Sequence, residues 1–468
     1  LPAGAGGKQV DFVASGTLPS GQTVVLKTNG QVEAVADGNL LATPSYGSAT
    51  AISSTSFTQG ETVTVYDPSN DKIVVLYIGA SSNGFAVVGT VSGSSISFGT
   101  PVIFNNTMTY FIGGTFDSTN NKIVIAYEAY SGSSSNHSRV ATVSGTSISF
   151  GSVMTLYTGG DMNETSLVYS PSAGKVALSF RDGSNSDYAT VMIGTVSGTT
   201  ISYGSKNVFN SANAGSMTST YDTTNNKVII FYQESGYYFG LVGSISGTNF
   251  NGDGNAQSLG LHVNTNGIAA TFDPNSNKVV VAYRNYDDPT GTAYRGTSLV
   301  ATVNTSAGTM SYGTPVIYQS AQTTSDPAIT FDSATNKIVI NASNPVSPYE
   351  GICFIGTVSG TSISFDSGTT YANNSTTQSL FRLSVAFDPD QKVSVLVAYE
   401  QSVAIKAVTA SMLGSNNTSF VGITDADVAS GASGSVTIKG GIATIKGGTY
   451  AITVVNSGSG NKYAINGV

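Results

Sequence analysis

The stretch TFDSTNNKIVIAY, residues 115–127, decides the fold, because the chain writes it again and again. It returns as VYDPSNDKIVVLY from Val65, VYSPSAGKVALSF from Val168 and TYDTTNNKVIIFY from Thr220. Further copies are TFDPNSNKVVVAY from Thr271, TFDSATNKIVINA from Thr330 and AFDPDQKVSVLVAY from Ala386. Measured at Asp67, Asp117, Ser170, Asp222, Asp273, Asp332 and Asp388, the copies stand 50 to 59 residues apart. A period of this length is the signature of a propeller blade.

Each copy opens on a short apolar strand, A, and closes on a second, B. Between them the Asp side chain can accept backbone N–H bonds two residues on. Asn121, Gly174, Asn226, Asn277 and Asn336, just before the Lys, are residues that tolerate positive φ. Asp-x-x-x-Asn is therefore turn chemistry and not a ligand set. Strand B is apolar at nearly every position, which predicts burial on both faces.

A second phrase follows each B strand: VGTVSGSSISFGTPVIF from Val88, ATVSGTSISFGSVMTLY from Ala141 and IGTVSGTTISYGSKNVF from Ile193, with looser copies from Val242, Val300 and Ile355. Here Ser-Gly is a hairpin turn joining strands C and D. Four-stranded units repeated in this way predict an all-β, seven-bladed β-propeller. The seventh unit has a C strand and no D strand. TPSYGSATAIS, residues 43–53, aligns with TISYGSKNVFN, residues 200–210, so the N-terminal segment is expected to supply the missing strand and close blade 7, removing an open edge. The expected division is a propeller over 43–414 and a small β domain made jointly from 1–42 and 415–468, whose strands are signalled by Asn-Gly and Gly-Gly turns.

Composition bounds the function. The net charge is −8 and the sequence pI about 4.7, which argues against a nucleic-acid partner. No apolar run is long enough for a membrane helix, and LPAGAGGKQV at the start is not a signal peptide. One cysteine, Cys353, excludes an internal disulfide framework. With it, the two histidines, His137 and His262, both read as loop residues, cannot build an ordinary zinc site. DGSNSD, residues 182–187, lacks the Gly and the distant Glu of a calcium loop, so no metal or other cofactor is expected. Glycoside hydrolysis would need a carboxylate pair, for which Glu128, Asp182, Asp287 and Glu400 are the candidates. They read better as solvated loop residues, and no enzymatic activity is expected.

The A–B and C–D turns are short and uniform, whereas the B–C and D–A segments are long and all different. Function sits preferentially on such diverse loops. The polar residue after each B-strand aromatic begins that face, with tyrosines close by. The candidate binding residues are Glu128, Arg181, Asp182, Tyr237, Arg284, Tyr286, Asp287 and Glu400. Aromatics beside Asn, Asp and Arg suit sugar recognition. In this topology both tails leave from the uniform face.

NKIVIAYEAY, NKVVVAYRNY and GTVSGTSISF, across most of residues 60–400, resemble the tandem repeats of tail-fibre or virion proteins of marine tailed phages, including those of cyanobacteria. SGTLPSGQTVVLKTNGQVEAV and SFVGITDADVASGASGSVTIKGG resemble terminal segments of the same group. The resemblance implies a virion component made in the host cytoplasm and attached to other virion proteins through its terminal β domain. Such a component would present its diverse loops to a host-surface glycan or protein. The alternatives are a capsid or tail decoration with a structural role and, third, a polysaccharide depolymerase.

Overall fold

A computed structural model of the chain describes residues 8–13, 23–26, 32–34, 40–53, 61–262, 267–285, 294–322, 327–344, 349–374, 380–400 and 404–413, and the backbone of strands within 420–466. It is all-β; among the described residues the one helical element is a 3-10 turn at Ala80–Ser82. The chain divides into two compact units, residues 43–412, and residues 1–42 with 413–468.

Every copy of the repeated phrase folds into an antiparallel A–B hairpin. In repeat 2, strand A (Met108–Asp117) pairs with strand B (Lys122–Tyr130), which pairs with strand C (Ser134–Ser144). Strand D is broken in two, Ser147–Phe150 and Met154–Thr158, and both pieces pair with C. The turn between A and B is built as its residues dictate. Asp117 Oδ1 accepts the amides of Thr119 at 2.9 Å and Asn120 at 3.0 Å, and Asn121 turns the chain at φ 53°. Asp67, Asp222, Asp273, Asp332 and Asp388 repeat the arrangement; Ser170 replaces the acid in repeat 3.

The largely apolar B strands are buried on both faces, and their residues are shared alternately between two cores. In repeat 1 (strand B, Lys72–Ile78), Val74, Leu76 and Ile78 pack on repeat 2 against Ile123, Ile125 and Tyr127. Ile73, Val75 and Tyr77 point the other way, into a core with Val395, Val397 and Ile405 of repeat 7. Each following pair of repeats has a core of the same construction. Burying one such aliphatic side chain contributes about 1.5–3 kcal/mol, so each B strand is a large share of its interface.

Repeat 7 (A Leu380–Asp388, B Val393–Glu400, C Ala404–Leu413) takes its outer strand from the other end of the chain. Leu40–Tyr46 and Thr50–Ser53 both lie along strand C, with Thr50 opposite Ala407 and Ala51 opposite Lys406. Hydrogen bonds then join repeat 7 to repeat 1: Thr64 Oγ1 with Ser384 Oγ at 2.7 Å, Tyr66 Oη to Asp390 at 3.1 Å and Thr409 Oγ1 to the Ser94 carbonyl at 2.6 Å.

The terminal unit holds a five-stranded sheet in the order Lys8–Val13, Ser433–Ile438, Phe420–Thr424, Thr23–Leu26, Val32–Ala34, so its strands come from both ends of the chain. A three-stranded sheet is formed by Ile442–Ile445, Gly448–Asn456 and Asn461–Asn466.

The diverse segments correct the sequence reading. Much of what reads as long loop is strand: TYFIGG belongs to strand A of repeat 2, and His137 sits within strand C, opposite Tyr127. His262 ends the strand Gln257–His262. In repeat 4 the B–C connection is only Ser235-Gly236, both at positive φ. Between repeats 3 and 4 no D–A loop exists, because Asn207–Asp222 runs as one strand through both sheets. Ser, Thr and Asn in these stretches are polar enough to read as loop yet fit an antiparallel ladder.

Candidate functional site

The residues singled out from sequence fall into three groups. The carboxylates are occupied. Glu128, at the end of strand B in repeat 2, is 4% exposed. It accepts the Ser134 hydroxyl at 2.9 Å and the Met162 amide of repeat 3 at 3.1 Å. Burial pushes its pKa up, and the nearby Asp161 adds to this; the two hydrogen bonds oppose it. Asp182, the last residue of strand B in repeat 3 (Lys175–Asp182), is fully buried. It takes the Ser184 amide and hydroxyl, and Lys206 Nζ at 2.6 Å. Glu400 is buried in repeat 7 and paired with Lys406 at 2.7 Å. These three are not solvated loop residues, because each closes a bond that shapes its own repeat or the next.

Glu128 and Asp182 do share a neighbourhood. Tyr157 feels both: its ring lies under Lys206 Nζ at 3.4 Å, and burial together with the charges of Asp182, Glu128 and Asp161 raises its pKa. Ser134 bridges Glu128 to the exposed Asp161, at 2.6 Å on the Asp161 side. Glu400 stands apart, in repeat 7. Among the described residues no cluster of His, Cys, Asp and Glu is grouped as a metal site.

The second group braces loops. Arg181 pairs with Asp187 at 3.0 Å, and the Arg284 guanidinium covers the Tyr294 ring at 4.5 Å. Tyr238 is fully buried against Tyr283. Tyr286 and Asp287 lie outside the described residues.

The third group is exposed. Tyr237, the first residue of strand C in repeat 4, is 41% accessible. Tyr130, one of the tyrosines that stand beside the candidate positions in the sequence, and Met108, which the sequence does not single out, are opposite each other across strands A and B of repeat 2 and are 40% and 41% accessible. Next to them the A strand bulges, with Phe111 at φ 48°. The same bulge, six residues before the turn position, carries Glu164 in repeat 3 and Arg382 in repeat 7, both at positive φ. Bulges re-aim side chains, and bulky residues in the left-handed region are uncommon.

At the opposite end of the A strands lies a cavity of about 480 Å³ lined from six of the repeats. Its walls include the aromatic that precedes the turn position in five of them: Tyr66, Phe116, Tyr169, Tyr221 and Phe387. That aromatic was visible in every quoted phrase and was absorbed there into the apolar strand.

No family model matches the chain, and no curated protein does. Among solved structures, it is similar to the WD40 domain of Toxoplasma gondii coronin, at 9% identity over 82% of this chain and 91% of that one, with a TM-score of 0.45. It is also similar to a protein from Lactobacillus plantarum, at 11% identity over 79% and 98%, with a TM-score of 0.48. The periplasmic gluconolactonase of Pseudomonas aeruginosa gives 12% identity over 79% and 98%, with a TM-score of 0.45. Similarity this distant carries nothing about activity.

Proposed function

We propose that residues 43–414 are a seven-bladed β-propeller closed by the N-terminal strand, and that it is a non-catalytic binding domain. In this reading it is carried on a phage particle by the terminal β unit and recognises a host-surface glycan or protein through its B–C and D–A end. The ring reading is supported by the matching cores between consecutive repeats, and between repeats 7 and 1. The observation that carries the binding reading is the contrast at the B–C and D–A end. The described candidate acids, Glu128, Asp182 and Glu400, are each bonded inside the protein, while Met108, Tyr130 and Tyr237 are open to solvent. Exposed aromatic and thioether side chains on a rigid frame are the groups that dominate binding energy, about 1–2 kcal/mol or more each.

Purified protein labelled with a fluorophore should adsorb to marine cyanobacterial cells. Changing Met108, Tyr130 and Tyr237 together to Ala should cut adsorption at least tenfold with the melting temperature unchanged. Adsorption that survives the triple change removes this face from the reading. If even the parent protein ignores the cells while remaining bound to the particle, the structural decoration role replaces it.

A further inference from the structure

We propose that the cavity at the A–B-turn end of the repeat unit is a binding site for an uncharged, polyhydroxylated ring, a single neutral sugar residue. This goes beyond the proposed role of the opposite face, and four observations carry it. The hollow is broadly open to solvent, and its volume of about 480 Å³ leaves room for one small ring. The aromatic walls are held from behind: Tyr66 Oη bonds Asp390, Tyr169 Oη bonds Thr119 and Tyr221 Oη bonds Ser172, each on the preceding repeat in the packing order. Their rings therefore present a fixed apolar surface, the kind on which the C–H face of a pyranose rests.

The third observation is a set of hydroxyls. Thr115, Ser118, Thr223 and Thr330 line the cavity, and none of their side chains is hydrogen-bonded to the protein among the described residues. A hydroxyl both donates and accepts, which matches the dual character of sugar hydroxyls. The fourth is charge. The lining contains no Asp, Glu, Lys, Arg or His. Asp117 and Asp222 are turned into their own loops, where Asp117 takes Thr119 and Asn120, and Asp222 takes Thr224 and Asn225, while Asp71 and Asp390 stand behind Tyr66 on its hydroxyl. An anionic ligand would lose hydration here and gain no counter-charge, whereas a neutral polyol exchanges water for hydroxyl partners.

The test uses the full chain and saturation-transfer NMR with methyl glycosides of glucose, galactose and mannose at millimolar concentration. Ring protons of at least one glycoside should receive saturation. The double variant T223V/T330V, which replaces each hydroxyl by a methyl of nearly the same shape, should weaken that binding roughly tenfold, the loss expected for two hydrogen bonds. If the double variant does not fold, T115V alone should weaken it about threefold by the same reasoning. The M108A/Y130A/Y237A protein should bind the glycoside like the parent, which separates this site from the outward face. No transfer to any of the three glycosides, transfer that the Thr→Val changes leave intact, or tighter binding of glucuronate than of glucose would each overturn the proposal.

Discussion

The turn acids show how one side chain does local work at a measurable electrostatic expense. Asp388 Oδ1 accepts the amides of Asp390 at 3.0 Å and Gln391 at 2.9 Å, which favours its charged form. Burial outweighs those bonds, and the charges of Asp71 and Asp390 add to it, so the carboxyl is pushed from 3.8 up to about 6. Asp332 shifts in the same direction, again through burial. A folded-state pKa above the unfolded one means that the folded chain holds the proton more tightly. Asp388 should therefore make stability fall as pH rises from about 4 to about 6, with no further change above that. D388N keeps an acceptor oxygen for the turn and removes the titration. Its melting temperature should vary less than the parent's between pH 4 and pH 6, and parallel curves for the two proteins would rule this assignment out. Local chemistry of this sort was legible in the sequence, since the donors lie two and three residues away. The role of Glu128 was not, because its second partner, Met162, is in the next repeat.

At the scale of the element, the break in strand D explains both a repeated glycine and its two exceptions. After the aromatic of SISF or ISY the chain turns at Gly151 in repeat 2, where a Cβ would meet the Thr199 carbonyl, in the Ser-Gly turn of repeat 3, at 1.7 Å. Gly99 approaches Thr146 in the same way, Gly313 approaches Thr361, and Gly47 approaches Ser94 of repeat 1. Repeats 4 and 6 have Asp253 and Asp366 at this position, with the same backbone bond, Asp253 N to the Val242 carbonyl and Asp366 N to the Ile355 carbonyl. Asp366 fits because strand C of repeat 7 is not followed by a Ser-Gly turn for it to meet, and opposite Asp253 the glycine is on the other side of the contact, Gly308 of repeat 5, where a Cβ would meet Asp253 at 2.4 Å. G151A should cost about 1–3 kcal/mol by prising two sheets apart. G252A, whose new methyl would make only ordinary contacts, with Leu241 at 3.5 Å and the Gly254 carbonyl at 3.8 Å, should cost less than half as much. Equal losses in urea unfolding would show that backbone entropy and not the close approach decides. The A, B and C strands were readable because apolar runs and turn residues are local signals. The split in strand D and the strand character of the diverse segments were not, since both depend on what the neighbouring sheet presents.

For the whole molecule, the decisive contact joins the two ends of the repeat array. Without residues 40–53, strand C of repeat 7 (Ala404–Leu413) would expose its backbone edge, and the core shared by repeats 7 and 1 would lose Ile52, which is 8% exposed. An unpaired, apolar edge strand pairs with whatever it meets. A protein beginning at residue 54 should therefore melt well below the parent and self-associate in sedimentation. A protein beginning at residue 40 lacks the same terminal-unit strands but keeps the pairing, so the repeat unit should melt close to the parent and remain monomeric. The comparison isolates the closing segment from the loss of the terminal sheet. A synthetic peptide of residues 40–53 added to the shorter protein should suppress association and recover part of the melting temperature. By mass action that recovery grows with peptide concentration over its dissociation constant. Should the protein beginning at residue 54 stay monomeric and melt like the one beginning at residue 40, the N-terminal strand is not needed to hold the repeat unit together and the proposed closure falls.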